Sequence, residues 1–174
     1  MGERMESIKW GVCIGGAAIF EILCLIATRW MGEGLLKTLL KPYIWFCNLF
    51  YNMQFIYREG IGYECIQVHF VISKECLGNT FVAMLFALLF GGYVRYISRK
   101  KIFIWFILSS FIAISLGSLA NVIRILASVP WVGFRYFNLV HMTIGITLYI
   151  GILLSVNTGT QYFISRRGKY EQAI

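Results

Sequence analysis

The stretch Ile102–Leu126, IFIWFILSSFIAISLGSLANVIRIL, decides the fold class of this chain. A helix needs about 20 mostly apolar residues to cross the hydrocarbon core of a bilayer, and the only charge within this stretch is Arg124. Three more stretches are long and apolar, at residues 10–28, 77–95 and 137–163. The sequence therefore predicts an all-α polytopic membrane protein with about four transmembrane helices.

The composition leads to the same fold class. Of the 174 residues, 59% are hydrophobic and only 14% are charged, whereas soluble domains carry about 25% charge. With two prolines and no low-complexity linker, the chain is expected to form a single membrane domain, 1–174. The net charge of +8 lies mostly just outside the apolar stretches, where it meets lipid headgroups. The expected partner is therefore the bilayer, and we expect no nucleic acid.

Basic residues predict the orientation of the helices. They cluster in one short loop and after the last apolar stretch, at Arg95, Arg99, Lys100, Lys101, Arg166, Arg167 and Lys169. Short basic loops stay on the cytoplasmic side. The first apolar stretch ends without a small-residue cleavage site, so it is expected to be retained. The prediction is a multi-pass protein of the cell membrane, with Cys76, Arg124 and His141 near its extracytoplasmic surface.

The segment between the first two spans, about 30–75, is predicted to be extracytoplasmic. Residues 35–57 are apolar on average but carry several polar side chains, which is typical of an amphipathic helix at the membrane interface; a fifth span is the alternative. Residues 58–63 resemble a turn. Residues 65–72 then alternate, with Ile66, Val68, Phe70 and Ile72 on one face. This period of two predicts a strand and, with the turn, a small β-hairpin.

The cysteines and histidines exclude several kinds of site. No two of the five cysteines form a C-x-x-C pair, which argues against a zinc site and against a thiol–quinone redox enzyme. Two histidines cannot build a metal cage with so few partners, and we expect no cofactor. The chain contains no aspartate. A Ser-His-Asp triad is therefore excluded, although a glutamate could replace the aspartate.

Arg124 is the most informative single residue. An arginine at mid-helix costs roughly 2.5–3.5 kcal/mol on insertion scales, and near the interface it can snorkel as a simple anchor. However, Gly117, Asn121, Arg124 and Ser128 are spaced four, three and four apart. They form one small or polar stripe along the helix. This stripe favours a helix packed against others around a wet pocket.

Cys76 and His141 stand at the predicted outer ends of two other helices. A thiol at a helix N-terminus is favoured as thiolate by the helix dipole, although an isolated cysteine in an apolar protein usually serves packing. Small residues follow Cys76 at helical spacing, at Thr80, Ala83, Ala87 and Gly91. Gly145, one turn beyond His141, permits close helix approach; a capping histidine is the alternative. A disulfide between Cys76 and Cys65 also remains open.

Cysteine, histidine and arginine together suit cysteine acyl transfer. The thiolate attacks a carbonyl, the histidine moves a proton to the leaving amine, and the arginine holds the developing oxyanion or orients the substrate.

Three pieces of the sequence resemble a known family, the exosortases and archaeosortases. They are Glu75–Asn79 (ECLGN), Asn121–Ile125 (NVIRI) and His141. Their order and intervals fit over residues 60–155, and the chain looks most like the small exosortase K branch. One departure is Leu77, where many members have serine or alanine.

The resemblance implies a membrane-embedded cysteine protease or transpeptidase. Cys76 would be the nucleophile, with Arg124 and His141 as its partners, and Gly78, Asn79 and Asn121 would support them. The expected partner is an exported protein with a C-terminal hydrophobic sorting segment, cleaved at the outer interface through a thioester.

The alternative is a protein without enzymatic activity, a small transporter subunit or assembly factor with a polar path through its helices. In that case Glu21 and Arg124 could pair inside the path.

Overall fold

The computed structural model describes the backbone of residues 2–68, 70–94 and 97–171, and most side chains from 11 to 162. Within these ranges the chain is mostly helical, with a small antiparallel sheet inserted between the second and third α-helices. The elements are α1 (Gly2–Arg29), α2 (Glu33–Tyr51), β1 (Phe55–Arg58), β2 (Gly62–Cys65), β3 (Val71–Ile72), α3 (Asn79–Phe86), α4 (Ile102–Ser128) and α5 (Phe137–Glu171).

Several helical segments are long and apolar enough to cross a membrane. In the described chain these are Lys74–Gly91, Ile102–Trp131 and Phe137–Tyr162, which match three of the four predicted spans. The segments Ile14–Arg29 and Glu33–Tyr51 pass the same test only as a pair, and the pair is bent by 105°. The first predicted span, 10–28, lies within α1.

Helix α2 accounts for most of the predicted amphipathic segment. It turns away from α1 and buries one face, formed by Leu40, Tyr43 and Cys47. The helix ends at Tyr51 because Asn52 adopts a left-handed conformation, with φ of 51°. The helix predicted over residues 35–57 is therefore shorter than expected, and the last residues of that range belong to β1.

The β-structure is larger than the predicted hairpin. Strands β1 and β2 pair antiparallel, with Phe55 opposite Cys65 and Arg58 opposite Gly62, so the predicted turn at residues 58–63 is confirmed. Strand β3 pairs with the other side of β2. The described residues thus form a three-stranded sheet in the order β1-β2-β3.

The single strand predicted at residues 65–72 is wrong. The chain reverses after Cys65, whose N–H donates to the Phe70 carbonyl over 2.8 Å. The Gln67 side chain accepts the N–H of Gln54 over 3.1 Å, which ties the bend to the start of the sheet. As a result Ile66 is 58% exposed, although Ile72 of the same predicted face is fully buried. His69 lies outside the described residues.

The sheet is fastened to the start of α2. The Glu33 carboxylate accepts hydrogen bonds from the Tyr57 hydroxyl and from the Gly60 N–H. The bond to this carboxylate raises the pKa of Tyr57 to about 12, because the neutral hydroxyl is the donor. Lys37, one turn further along α2, lies over the Tyr57 ring. These contacts therefore hold the sheet against the start of α2.

The contact between α3 and α4 combines large with small residues. Large side chains of α3, Phe81, Val82, Leu85 and Phe86, are buried. Small residues of α4 make room for them: a Cβ added at Gly117 would lie 2.4 Å from Cγ2 of Val82. The predicted small-residue face of α3 is not the packed one, since Thr80 and Ala87 are exposed. The aromatic residues occupy the contact because they bury more apolar area.

Two hydrophobic clusters lie one above the other along α4. One joins α1, α3 and the first half of α4. The other joins α2 and the sheet to the last turns of α4, at Val122, Ile125 and Val129. The Tyr51 hydroxyl also donates to the Leu126 carbonyl over 2.8 Å. The sheet and α2 therefore cover the end of α4 that carries Arg124. Arg95 of the predicted basic loop lies outside the described residues.

Candidate active site

Cys76 lies in a short 3-10 turn, Lys74–Leu77, which follows β3. Gly78 adopts a left-handed conformation with φ of 67°, and α3 begins only at Asn79. Cys76 therefore lies near the start of the helical segment Lys74–Gly91, as predicted, but in the turn that precedes α3 and not in α3 itself. Gly78 interrupts the helix between Cys76 and α3. The effect of the α3 dipole falls off within one helical turn of its end.

The turn carrying Cys76 is held against α4 by Asn121. This side chain is fully buried, and its Nδ2 donates to the carbonyls of Leu77 over 3.2 Å and Gly117 over 3.0 Å. A Cβ at Gly78 would lie 1.7 Å from the same Nδ2. Gly78 is thus required both for its backbone conformation and for space. Asn79 is half-buried at the start of α3, and its side chain makes no hydrogen bond to the described residues.

Arg124 reaches across to α5. Its Nη1 donates to the Tyr149 hydroxyl over 2.7 Å, while its Nε is buried and has no partner in the described chain. A Cβ at Gly145 would lie 2.8 Å from Cδ of Arg124. Gly145 therefore makes room for the arginine side chain. Because the guanidinium is bound by a neighbouring helix, Arg124 is not a lipid-facing anchor.

The alternative pairing of Arg124 with Glu21 is not formed. Glu21 is exposed on α1, and the ion pair found among the described residues joins Arg58 to Glu64 over 2.7 Å. The positive charge of Arg124 thus has no carboxylate partner in the described chain. It remains available to an anionic group.

His141 is held by Ser128. Its Nδ1 lies 2.8 Å from the Ser128 Oγ, and this hydroxyl donates its proton to the Arg124 carbonyl over 2.7 Å. Ser128 can therefore only accept at Nδ1, so Nδ1 carries the ring proton of neutral His141 and Nε2 is the basic nitrogen. The Phe137 ring stacks on the imidazole with centroids 5.7 Å apart.

Hydrogen bonds link the surroundings of the three predicted site residues through Arg124. The Leu77 carbonyl beside Cys76 is joined to the guanidinium through Asn121 and Tyr149. His141 is joined to the Arg124 carbonyl through Ser128. No hydrogen bond joins Cys76 directly to His141 among the described residues. The structure thus brings the three residues to one end of the helices, with Arg124 linked to the surroundings of both partners by hydrogen bonds.

The other thiols in the described chain are also free. Cys24, Cys47, Cys65 and Cys76 form no disulfide, and the Cys65 thiol instead contacts Gln67 Oε1 over 3.1 Å. The open alternative of a bond between Cys65 and Cys76 is therefore not realised. Within the described chain, no group of three histidine, cysteine or acidic side chains could hold a metal ion.

Tyr149 was not predicted to be a site residue, although it contacts both Arg124 and Asn121. Its hydroxyl accepts from Arg124 and donates to Asn121 Oδ1 over 2.5 Å. A signal was present, because His141, Gly145 and Tyr149 follow one another at intervals of four and share a helical face. Ser128 was placed on the polar stripe of α4, but its contact with His141 was not foreseen.

Comparisons of the chain with known protein families, curated proteins and solved structures found no match. The function must therefore be argued from the geometry of the site.

Proposed function

We propose that the protein is a membrane-embedded cysteine protease or transpeptidase of the exosortase type. Its substrates are exported proteins that carry a C-terminal hydrophobic sorting segment. The observation that carries this proposal is one network of hydrogen bonds. It links an arginine, which has no carboxylate partner in the described chain, to the turn of a half-buried cysteine and to a serine-bound histidine. These residues lie at one end of helices long and apolar enough to span a bilayer.

The acylation step follows from the three side chains. His141 Nε2 takes the proton of the Cys76 thiol, and the sulfur attacks the scissile carbonyl carbon. A carbon–sulfur bond forms, and the negative charge moves to the carbonyl oxygen. Arg124 stabilises this oxyanion with the terminal guanidinium N–H groups that are not bound to Tyr149. When the intermediate collapses, the carbon–nitrogen bond breaks and His141 protonates the leaving amine.

The second step resolves the thioester. An amine or a water attacks the acyl carbon, His141 accepts the proton of this nucleophile, and the Cys76 sulfur leaves. An amine acceptor gives transfer and water gives hydrolysis. The Ser128 contact keeps Nε2 free through both steps, which is the role a third group plays in catalytic triads.

The membrane arrangement explains how such a substrate reaches the site. Lys74–Gly91, α4 and α5 cross the cell membrane with the site on the extracytoplasmic side, while α1 crosses and α2 lies in the interface. The 105° bend between α1 and α2 supports this placement. A hydrophobic C-terminal segment would then remain in the bilayer, and its junction with the exported part would lie at the depth of Cys76.

The proposal is tested by the C-termini of exported proteins in the native host. A strain lacking the gene is complemented with the wild type, with Cys76→Ala or with Cys24→Ala, the last as a control for a thiol in another cluster. We expect proteins with a hydrophobic C-terminal segment to be shortened in the wild-type and Cys24→Ala strains and full-length with Cys76→Ala. Equal processing in all three strains would overturn the proposal.

A further inference from the structure

Tyr149 belongs to none of the groups that the proposed reaction requires, yet it lies at the centre of the site. Its hydroxyl lies between Arg124 and Asn121, and its ring packs on α3. We propose that Tyr149 is a positioning residue, which holds the Arg124 guanidinium in place and couples it to the turn that carries Cys76. This inference rests on the proposed function for its catalytic meaning.

The direction of each hydrogen bond is fixed by chemistry. Arginine has only donors, so Nη1 donates and the Tyr149 oxygen accepts. The Tyr149 hydroxyl proton is then free to reach Asn121 Oδ1, and the Asn121 amide donates onward to the Leu77 carbonyl. A single directed chain thus runs from the guanidinium to the peptide beside Cys76. The charge at one end strengthens each bond along it.

The tyrosine ring is held independently of its hydroxyl. It stacks on Phe81 with centroids 3.9 Å apart and an angle of 9° between the planes. Phe81 lies on α3, Asn121 and Arg124 lie on α4, and Tyr149 lies on α5, so one side chain joins all three helices. A phenylalanine at position 149 can keep the stacking while it removes both hydrogen bonds. The role of the hydroxyl can therefore be separated from that of the ring.

The bond to Tyr149 also determines which arginine donors remain. One N–H of Nη1 is bound to the Tyr149 oxygen, and the other terminal N–H groups make no hydrogen bond within the described chain. A donor that is already oriented stabilises a developing charge without reorganisation at the moment of reaction. Without the Tyr149 hydroxyl, the Arg124 side chain can rotate and the guanidinium plane can change its orientation. The remaining donors then lose their fixed orientation towards the oxyanion.

A double-mutant cycle tests whether Tyr149 acts through Arg124. The variants are Tyr149→Phe, Arg124→Gln and the combination. The matched control is Tyr93→Phe, since the Tyr93 hydroxyl also binds a residue of α5, donating to the Asn157 carbonyl over 3.2 Å. One readout is the alkylation rate of Cys76 by a membrane-impermeant maleimide near neutral pH, which needs no substrate. The other is kcat and KM for cleavage of an exported protein with a hydrophobic C-terminal segment.

We expect Tyr149→Phe to lower kcat roughly tenfold, with KM changed less than about twofold, because it removes transition-state positioning and not binding. It should also slow Cys76 alkylation roughly threefold or more. In the Arg124→Gln background the same change should add less than about twofold to either readout, since contacting residues that act as a unit are non-additive. Tyr93→Phe should change neither readout.

Two results would overturn the inference: a Tyr149→Phe effect that is equally large in the Arg124→Gln background, or an equal effect of Tyr93→Phe. Either would mean that the hydroxyl contributes only general stability. The alkylation cycle gives its answer even if the Cys76→Ala strain processes exported proteins normally. Failure of the positioning role and failure of the proposed function are therefore distinguishable.

Discussion

At the scale of single residues, the site is governed by a positive charge without a carboxylate partner in the described chain. Arg124 is hydrogen-bonded by a neutral tyrosine hydroxyl and lies 5.5 Å from the centre of the same ring. Both contacts orient the guanidinium but leave its charge uncompensated. Such a charge favours a thiolate over a thiol and an oxyanion over a neutral carbonyl. The arginine can therefore assist two different anions in turn.

Ser128 provides a prediction at this scale. The Ser128→Ala variant loses the acceptor that fixes His141 Nδ1, and a hydrogen bond of this kind is worth about 0.5–1.5 kcal/mol. We expect processing to slow by up to roughly tenfold. The control is Ser110→Ala, because Ser110 makes the same bond to the carbonyl four residues earlier, over 2.8 Å, but lies in another part of α4. Equal rates for the two variants would contradict the orienting role.

The residues found from the sequence were the chemically conspicuous ones. A charge within an apolar stretch, a histidine and a cysteine at predicted helix ends, and a polar stripe all stand out against an apolar background. Tyr149 does not stand out in this way, because aromatic residues are common in apolar helices. Its contribution to the site depends on which helix its hydroxyl contacts. That contact is set by the packing of α4 against α5. The spacing from His141 places Tyr149 on the same face of α5, but it does not show which groups of α4 the hydroxyl contacts.

At the scale of elements, the junction between the Cys76 turn and α3 is the most constrained. The Gly78→Ala variant would have to keep a left-handed conformation, at a cost of about 1–2 kcal/mol, and would also clash with Asn121. We expect a lower midpoint of thermal unfolding in detergent micelles than for Gly60→Ala. Gly60 has a similar φ of 74° but open space around it. If both variants lose the same stability, the contact with Asn121 does not constrain this junction.

Helix α2 gives a second prediction for an element. Spin labels at Leu39→Cys and Leu49→Cys, on exposed positions ten residues apart, should report similar depths in a bilayer if α2 lies in the interface. Labels at Ile104→Cys and Ile114→Cys, with the same spacing on α4 and also exposed, should differ by about 15 Å along the helix axis. Both pairs need a background in which the native cysteines are replaced. A depth difference in α2 as large as in α4 would make α2 a span.

The elements show where sequence patterns stop being informative. The long apolar helices follow from length and composition. The strand at residues 65–72 failed because an alternating pattern does not reveal that Gln67 closes a bend. The small residues that follow Cys76 do not form the packed face of α3. A close helix contact needs small residues on only one of the two helices. Here α4 supplies them, and α3 supplies the large side chains.

At the scale of the whole molecule, the fold places a cover, formed by α2 and the sheet, over one end of a helical bundle. The sheet and α2 form one hydrophobic cluster with the end of α4, and Phe70 of this cover meets Phe137 edge-on, with centroids 6.1 Å apart. Phe137 in turn stacks on His141. His141 is thus connected to the cover through Phe137, whereas Arg124 and Tyr149 lie among the helices of the bundle. The proposed substrate would enter where these two parts meet.

The most direct test of the central claim is to capture the acyl group on Cys76. Neutral hydroxylamine cleaves thioesters, so it is added to membranes that contain the protein and an exported protein with a hydrophobic C-terminal segment. The C-termini are then read by mass spectrometry. The account predicts a hydroxamate at the new C-terminus with the wild type and none with Cys76→Ala. Cleavage by the wild type without any hydroxamate, or the same hydroxamate with Cys76→Ala, would contradict it.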